Sequence, residues 1–277
     1  MKAFNNGPLP ADRVGLIAAV IRDQVQTNQI DVVVLQEVFD EASGASLRHE
    51  LLDILPACMW HVGLRACRLD SGLMILSRFP LSDPAFFPHP MAADVEVVAT
   101  KGVAVVRVHV HRPNGSSSSE VDIFTTHLQG GSRDPTKTGE QVRAAQIAAL
   151  REHVRNRPPP GQAGTGPVPT VITGDFNIYA FHEMDWFTHQ DFFSVDNRHW
   201  LVEGQPAATS TCYDTDNDPR VLWSLDTVND WPVKPNQHVD YILTSATFPL
   251  AAPPTLDALR LGGYSDHLAF RGRLVLA

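Results

Sequence analysis

The chain is poor in cysteine, in lysine and in long apolar runs, and each shortage excludes something. Its 277 residues include three cysteines, Cys58, Cys67 and Cys212. An odd number at this length specifies no disulfide framework, so buried thiols are the expectation. No apolar run approaches the ~20 residues that span a bilayer. No basic-then-apolar leader opens the chain, so any export signal is expected to have been removed or never present. Lysine occurs only four times, and 22 basic side chains face 31 acidic ones for a net charge of -9. Proteins that track nucleic acid neutralise phosphates, so this balance argues against a stable nucleic-acid complex. The rest, 43% hydrophobic and 19% charged, is ordinary globular composition, enough for one large domain or two small ones.

Periodicity outlines the elements. Val14, Ile17, Ala18, Ile21 and Val25 form the stripe of an amphipathic helix. Val32, Val33, Val34 and Leu35 make an apolar run buried on both faces, which ends at Gln36-Glu37. Residues 46–55 read as a helix and 72–77 as the next strand. Val106, Val108 and Val110 alternate with Arg107, His109 and His111, which predicts a half-exposed strand with both histidines on its solvated face. Pro113-Asn114-Gly115 turns the chain into a returning strand, 121–127, that ends at His127. A helix over 141–154, a Pro/Gly loop over 157–167 and a strand ending at Asp175 follow. The aromatics between 181 and 200 are read mainly as helix packing, and late strands are expected at 239–243 and 268–276. Strands alternating first with helices and then with hairpins predict one mixed α/β domain covering 1–277.

The residue types at the strand ends point to chemistry. Asn5, Glu37, Asp175, Asn177 and Asp266 offer hard oxygen ligands, which suit magnesium or manganese better than zinc. His127 and His267 accompany them without the cysteines or paired histidines of a zinc site. A hard metal, a histidine base and a carboxylate to orient it are the equipment for hydrolysing a phosphate ester. Each residue alone also has an ordinary reading: Glu37 as a salt-bridge partner, Asp175 as a helix cap with Asn177, His127 as a core histidine, Asp240 as an acceptor of a backbone hydrogen bond. Asp214-Thr215-Asp216-Asn217-Asp218 resembles the start of an EF-hand loop. Pro219 and Leu225, however, stand where that loop needs glycine and glutamate.

Taken in order, Leu35-Gln36-Glu37-Val38, Ser77-Arg78-Phe79-Pro80, Thr126-His127-Leu128, Gly174-Asp175-Phe176-Asn177, Asp240-Tyr241-Ile242 and Ser265-Asp266-His267 resemble the endonuclease/exonuclease/phosphatase superfamily. The resemblance runs from Asn5 to His267. Three longer stretches look most like the bacterial-type neutral sphingomyelinases: Lys101-Gly102-Val103, the pair Thr126–Gln129 and 139–146, and Thr211-Cys212-Tyr213-Asp214. This resemblance implies a DNase I-like fold, a four-layer α/β/β/α sandwich of two mixed β-sheets. It implies that Glu37 binds essential magnesium (manganese or cobalt as substitutes), with Asn5 and Asp266 placing metal and water. His267 is then the general base and Asp240 orients it. Asp175 and Asn177 hold nucleophile and phosphoryl oxygens, and His127 stabilises charge developing on phosphorus. A phospholipid substrate, met at a membrane surface, and a secreted monomer complete the expectation.

One departure stands out. The secreted bacterial members carry an aromatic hairpin between the positions of Asp240 and Asp266, whereas 243–264 here contain no tryptophan, only Phe248 and Tyr264. Two readings compete with a sphingomyelinase. One is a metal-dependent nuclease or phosphomonoesterase of the same fold, and the other is a non-catalytic binding module. The acidic balance and the longer motifs favour the lipid substrate, and the presence of every expected acid, amide and histidine disfavours the binding module.

Overall fold

The computed structural model describes residues 13–60, 70–111, 118–130, 139–158, 168–178, 240–244, 255–259 and 269–274. The first helix, α1 (Arg13–Asn28), buries Ala18, Ile21 and Val25, the stripe its spacing predicts. It feeds β1 (Val32–Leu35). Helix α2 (Glu41–Leu51) begins earlier than the apolar pattern suggests. Asp40, in extended conformation, caps it by accepting a 2.8 Å bond from the Ser43 N–H, and the bonds to Ser43 hold this carboxyl below its usual pKa. A cap set the helix start, whereas the sequence reading followed only the apolar stripe.

Among the described residues, β2 (Ala57–Trp60) and β3 (Met74–Ser77) join β1 in a three-stranded antiparallel sheet, in the order β1-β3-β2. Next come β4 (Leu81–Pro88), a 3-10 helix (Asp94–Val98), β5 (Gly102–His111) and β6 (Ser118–His127). Helix α3 (Gly139–Arg155) then crosses over to β7 (Thr170–Asp175), and β8 (Asp240–Thr244) follows. Among the described residues these strands form a five-stranded sheet, β4-β5-β6-β7-β8. The pair joined by the α3 crossover, β6 and β7, is parallel and the other pairs are antiparallel. A further antiparallel pair joins β9 (Thr255–Leu259) to β10 (Ala269–Arg273).

Three apolar clusters define the layers. Ala18, Val25, Leu47 and Leu51 of the first two helices pack on Met74 and Leu76. The opposite face of that sheet, with Ile75 and Leu73, meets Ala104, Val106, Ile123 and Val171 of the larger sheet. The far face of the larger sheet, with Phe124, Ile172 and Tyr241, packs against Ile147 and Leu150 of α3. The order is helix, sheet, sheet, helix, an α/β sandwich as the sequence led us to expect.

Strand β5 departs from expectation. It is buried on both faces from Gly102 to Val108. Arg107 is not solvated: it makes a two-pronged contact with Asp122 at 3.0 and 2.9 Å and donates to the Pro158 carbonyl. His109 lies half-buried between Ser82 (2.7 Å) and Glu120 (3.4 Å). The alternation was real and His111, at the strand's end, is exposed as expected, but Arg107 faces an ionic cluster that includes Arg157 (3.4 Å from Asp122), from just beyond α3, rather than water.

Candidate active site

The register of the larger sheet gathers residues that are remote in sequence. Parallel pairing sets His127 opposite Asp175, and antiparallel pairing sets Asp175 opposite Asp240. Three expected site residues therefore stand on one rung of neighbouring strands, ~4.8 Å apart in the hydrogen-bonding direction. Alternation gives His127 the same face as Thr125 and Ile123, toward the other sheet. His127 Nε2 lies 3.4 Å from Asp175 Oδ2, with the two side chains 7% and 10% exposed. The other oxygen of Asp175 accepts the Asn177 N–H at 2.8 Å.

Two backbone features hold this rung. Gly174 has φ +141, and a Cβ there would run into the Thr126 carbonyl oxygen, so no other residue lets β7 lie this close to β6. Asn177 adopts a left-handed conformation (φ 51) and points its amide at the Leu128 carbonyl, 3.0 Å away. Through these bonds the aspartate and asparagine close the end of a strand onto its neighbour.

Glu37 arrives from the smaller sheet. It follows β1 with φ 63, and Val38 N–H donates to the Gly72 carbonyl at 3.0 Å. Gly72 is itself left-handed (φ +70), and a Cβ there would press on the Phe39 ring and approach the Glu37 Cα. Gln36 Nε2 reaches Thr125 Oγ1 at 3.4 Å, which links the Glu37 end of one sheet to the His127 end of the other. Glu37 itself is exposed. Asn5, Asp266 and His267 lie outside the described residues, as does 214–218. Among the described residues no three His, Cys, Asp or Glu side chains are grouped to hold a metal ion. The carboxylates that are described, Glu37, Asp175 and Asp240, are hard oxygen donors, chemistry that suits magnesium.

Behind the rung lies a polar frame. Lys101 Nζ donates to the Leu128 carbonyl at 2.9 Å and pairs with Glu96 Oε2 at 2.8 Å, while Glu96 Oε1 accepts the Gly130 N–H at 3.0 Å. Gln146 accepts the Gln129 N–H, and Arg143 donates to the carbonyls of Gln129 and Gly130. The Gln129 side chain accepts the Ala93 N–H. Lys101, Gln129, Arg143 and Gln146 fall in stretches the sequence singled out only by resemblance. Their task is physical: each of them bonds to, or from, the loop leaving His127, and Lys101 and Gln146 also tie it to Glu96 and to the Met91 carbonyl. Glu96 had no signal in the sequence, because an acid near a lysine acquires meaning only once both are buried.

His89 was also missed. Its Nε2 meets Thr126 Oγ1 at 2.9 Å, and the Thr126 hydroxyl donates to the Gly102 carbonyl, so His89 is the donor. Burial first, then the nearby charges of Lys101 and His153, lower its pKa to about 3. It stays neutral and braces the strand next to His127.

Residues 9–267 match the model of the Endonuclease/Exonuclease/phosphatase family, and the chain belongs to that family. Within the family it is similar to human sphingomyelin phosphodiesterase 3, at 26% identity over 162 residues, which are 54% of this chain and 24% of that protein. The chain therefore spans about a quarter of that relative's length. Among solved structures it resembles a beta toxin from Staphylococcus aureus with bound magnesium ions, with TM-score 0.69 and 16% identity over 95% of this chain and 92% of that one. It also resembles sphingomyelinase C from Streptomyces griseocarneus, with TM-score 0.64 and 18% identity over 90% and 82%. At these identities the structural likeness establishes the fold.

Proposed function

We propose that the chain is a metal-dependent phosphodiesterase that cleaves sphingomyelin, or a related phospholipid, to ceramide or diacylglycerol and a phosphorylated head group. It would act as one catalytic domain and as a monomer. The observation that carries the reading is the rung His127–Asp175–Asp240, with the Glu37 end of the second sheet brought to it through Gln36 and Thr125. Family membership and the sphingomyelinase relatives support the substrate class.

In this reading Glu37, Asn5 and Asp266 would hold magnesium, which supplies charge neutralisation at the phosphoryl group. His267 removes a proton from the attacking water, and Asp240 holds the imidazole in the orientation and tautomer that accept it. Asp175 and Asn177 hold the water and a phosphoryl oxygen, and the buried His127 donates toward the oxygen on which charge accumulates. The water oxygen bonds to phosphorus as the lipid alkoxide leaves and takes up a proton. Such chemistry is chiefly positioning and electrostatics, so a rigid strand-end frame matters more than any single group.

The test is a head-to-head assay with magnesium on sphingomyelin, a phosphatidyl lipid, plasmid DNA and an inositol phosphate. Release of phosphocholine from micellar sphingomyelin, abolished by His267→Ala and Glu37→Ala, is the expected result. DNA nicking without lipid turnover would replace this reading with a nuclease.

A further inference from the structure

Resting on the phospholipid reading above, we infer that the connection from β4 to β5, residues 89–101, is a membrane-docking element that seats on a zwitterionic phospholipid surface. Among the described residues the large apolar side chains standing exposed are Leu52, Met91, Val97 and Val98, at 48%, 36%, 46% and 41%. Single exposed apolar side chains are ordinary, but three of these four stand on one short connection, a concentration that calls for an occupant. Met91 and Val97 also line one pocket of about 260 Å³, shared with the polar side chains of His89, Thr100 and Lys101.

The patch is fixed to the candidate site. The Ala93 N–H donates to Gln129, Glu96 accepts the Gly130 N–H, and Lys101 donates to the Leu128 carbonyl. All three anchors lie within three residues of His127, so whatever the patch touches is delivered to the rung. Charge then selects the occupant. The connection carries Asp94 and Glu96, and its lone lysine, Lys101, is buried against Glu96. With a net charge of -9 on the chain, an anionic surface would repel it, whereas a phosphocholine surface offers apolar contact without that cost. The segment also provides an apolar anchor for a chain without tryptophan in 243–264.

The test is flotation of the full chain with phosphatidylcholine–sphingomyelin vesicles in EDTA, so that binding is read without turnover. Val97→Ser/Val98→Ser is expected to lose roughly tenfold or more in vesicle affinity. Leu52→Ser, elsewhere on the surface, keeps it, and Val97→Trp/Val98→Trp binds more tightly. Hydrolysis of detergent-dispersed substrate by the serine variant is unchanged. Unaltered vesicle binding by both double variants overturns the inference, and so does binding that salt abolishes or that favours phosphatidylglycerol vesicles. Docking without turnover of any phosphodiester defeats the enzymatic reading alone. Turnover of dispersed lipid with no vesicle binding defeats the docking element alone.

Discussion

Two buried aspartates on adjacent strands of one sheet show how the same side chain is put to different use. Asp122, on β6, faces the α3 side and is gripped by Arg107 through two hydrogen bonds, with Arg157 3.4 Å away. Asp175, on β7, faces the other sheet and meets His127 at 3.4 Å and a backbone N–H at 2.8 Å. Around Asp122 the cations are paired in fixed forks, and those hydrogen bonds raise the Arg107 pKa and keep it charged. Around Asp175 the contacts made by the described residues are a histidine and a backbone N–H, and the left-handed Asn177 and the close approach at Gly174 hold the carboxylate in place. One end of the sheet locks the fold, and the other carries the candidate site.

The strongest way to break this comparison is to change each aspartate's surroundings and read both stability and turnover. Asp175→Asn keeps an acceptor for the Asn177 N–H but removes the charge. Phosphodiester turnover should fall about 10³-fold, while the melting temperature moves by only a few degrees. Arg107→Ala should do the reverse. Leaving Asp122 without its principal partner should cost about 3–5 kcal/mol in denaturant unfolding, with turnover per folded molecule preserved. If both substitutions lower turnover equally, the division between the two ends is wrong.

Gly72→Ala probes the Glu37 side. The new Cβ presses on Phe39 and the Glu37 backbone, which should raise the magnesium concentration for half-maximal activity several-fold. Saturating metal should restore most of the rate, a pattern that general unfolding would not give.

The pH dependence of stability tests the brace beside the rung. Folded His89 titrates near 3 and an unfolded histidine near 6.5. The unfolded chain therefore binds the extra proton, and stability is lost as pH falls from 6.5 toward 3. His153, lowered by burial, acts in the same direction. Urea midpoints at pH 7.5 and 5.0 should separate less in His89→Gln than in the parent chain. The smallest expected effect is Asp40→Ala, which removes the α2 cap for about 1 kcal/mol and leaves turnover untouched.

Much of the site was legible because strand ends announce themselves. An apolar run that stops at Gln36-Glu37 or Gly174-Asp175 reads as a buried strand delivering a polar group, and both strands are there. The half-exposed reading of β5 held at His111 but failed at Arg107, because alternation reports which side chains share a face, not what covers that face. Arg107 looked solvated until Asp122 and the chain beyond α3 were found on top of it. The start of α2 was misplaced because its signal was a capping carboxylate rather than a hydrophobic period.

The chain alone determined the class of fold and the order of the candidate groups, since these follow from periodicity, composition and short motifs. Tertiary structure decided which carboxylate is neutralised and which faces a histidine. It also decided that Lys101, Glu96 and Gln129 hold the loop beyond His127, and that Met91, Val97 and Val98 stand outside. Strand register and burial make those choices, and both depend on contacts between residues far apart along the chain.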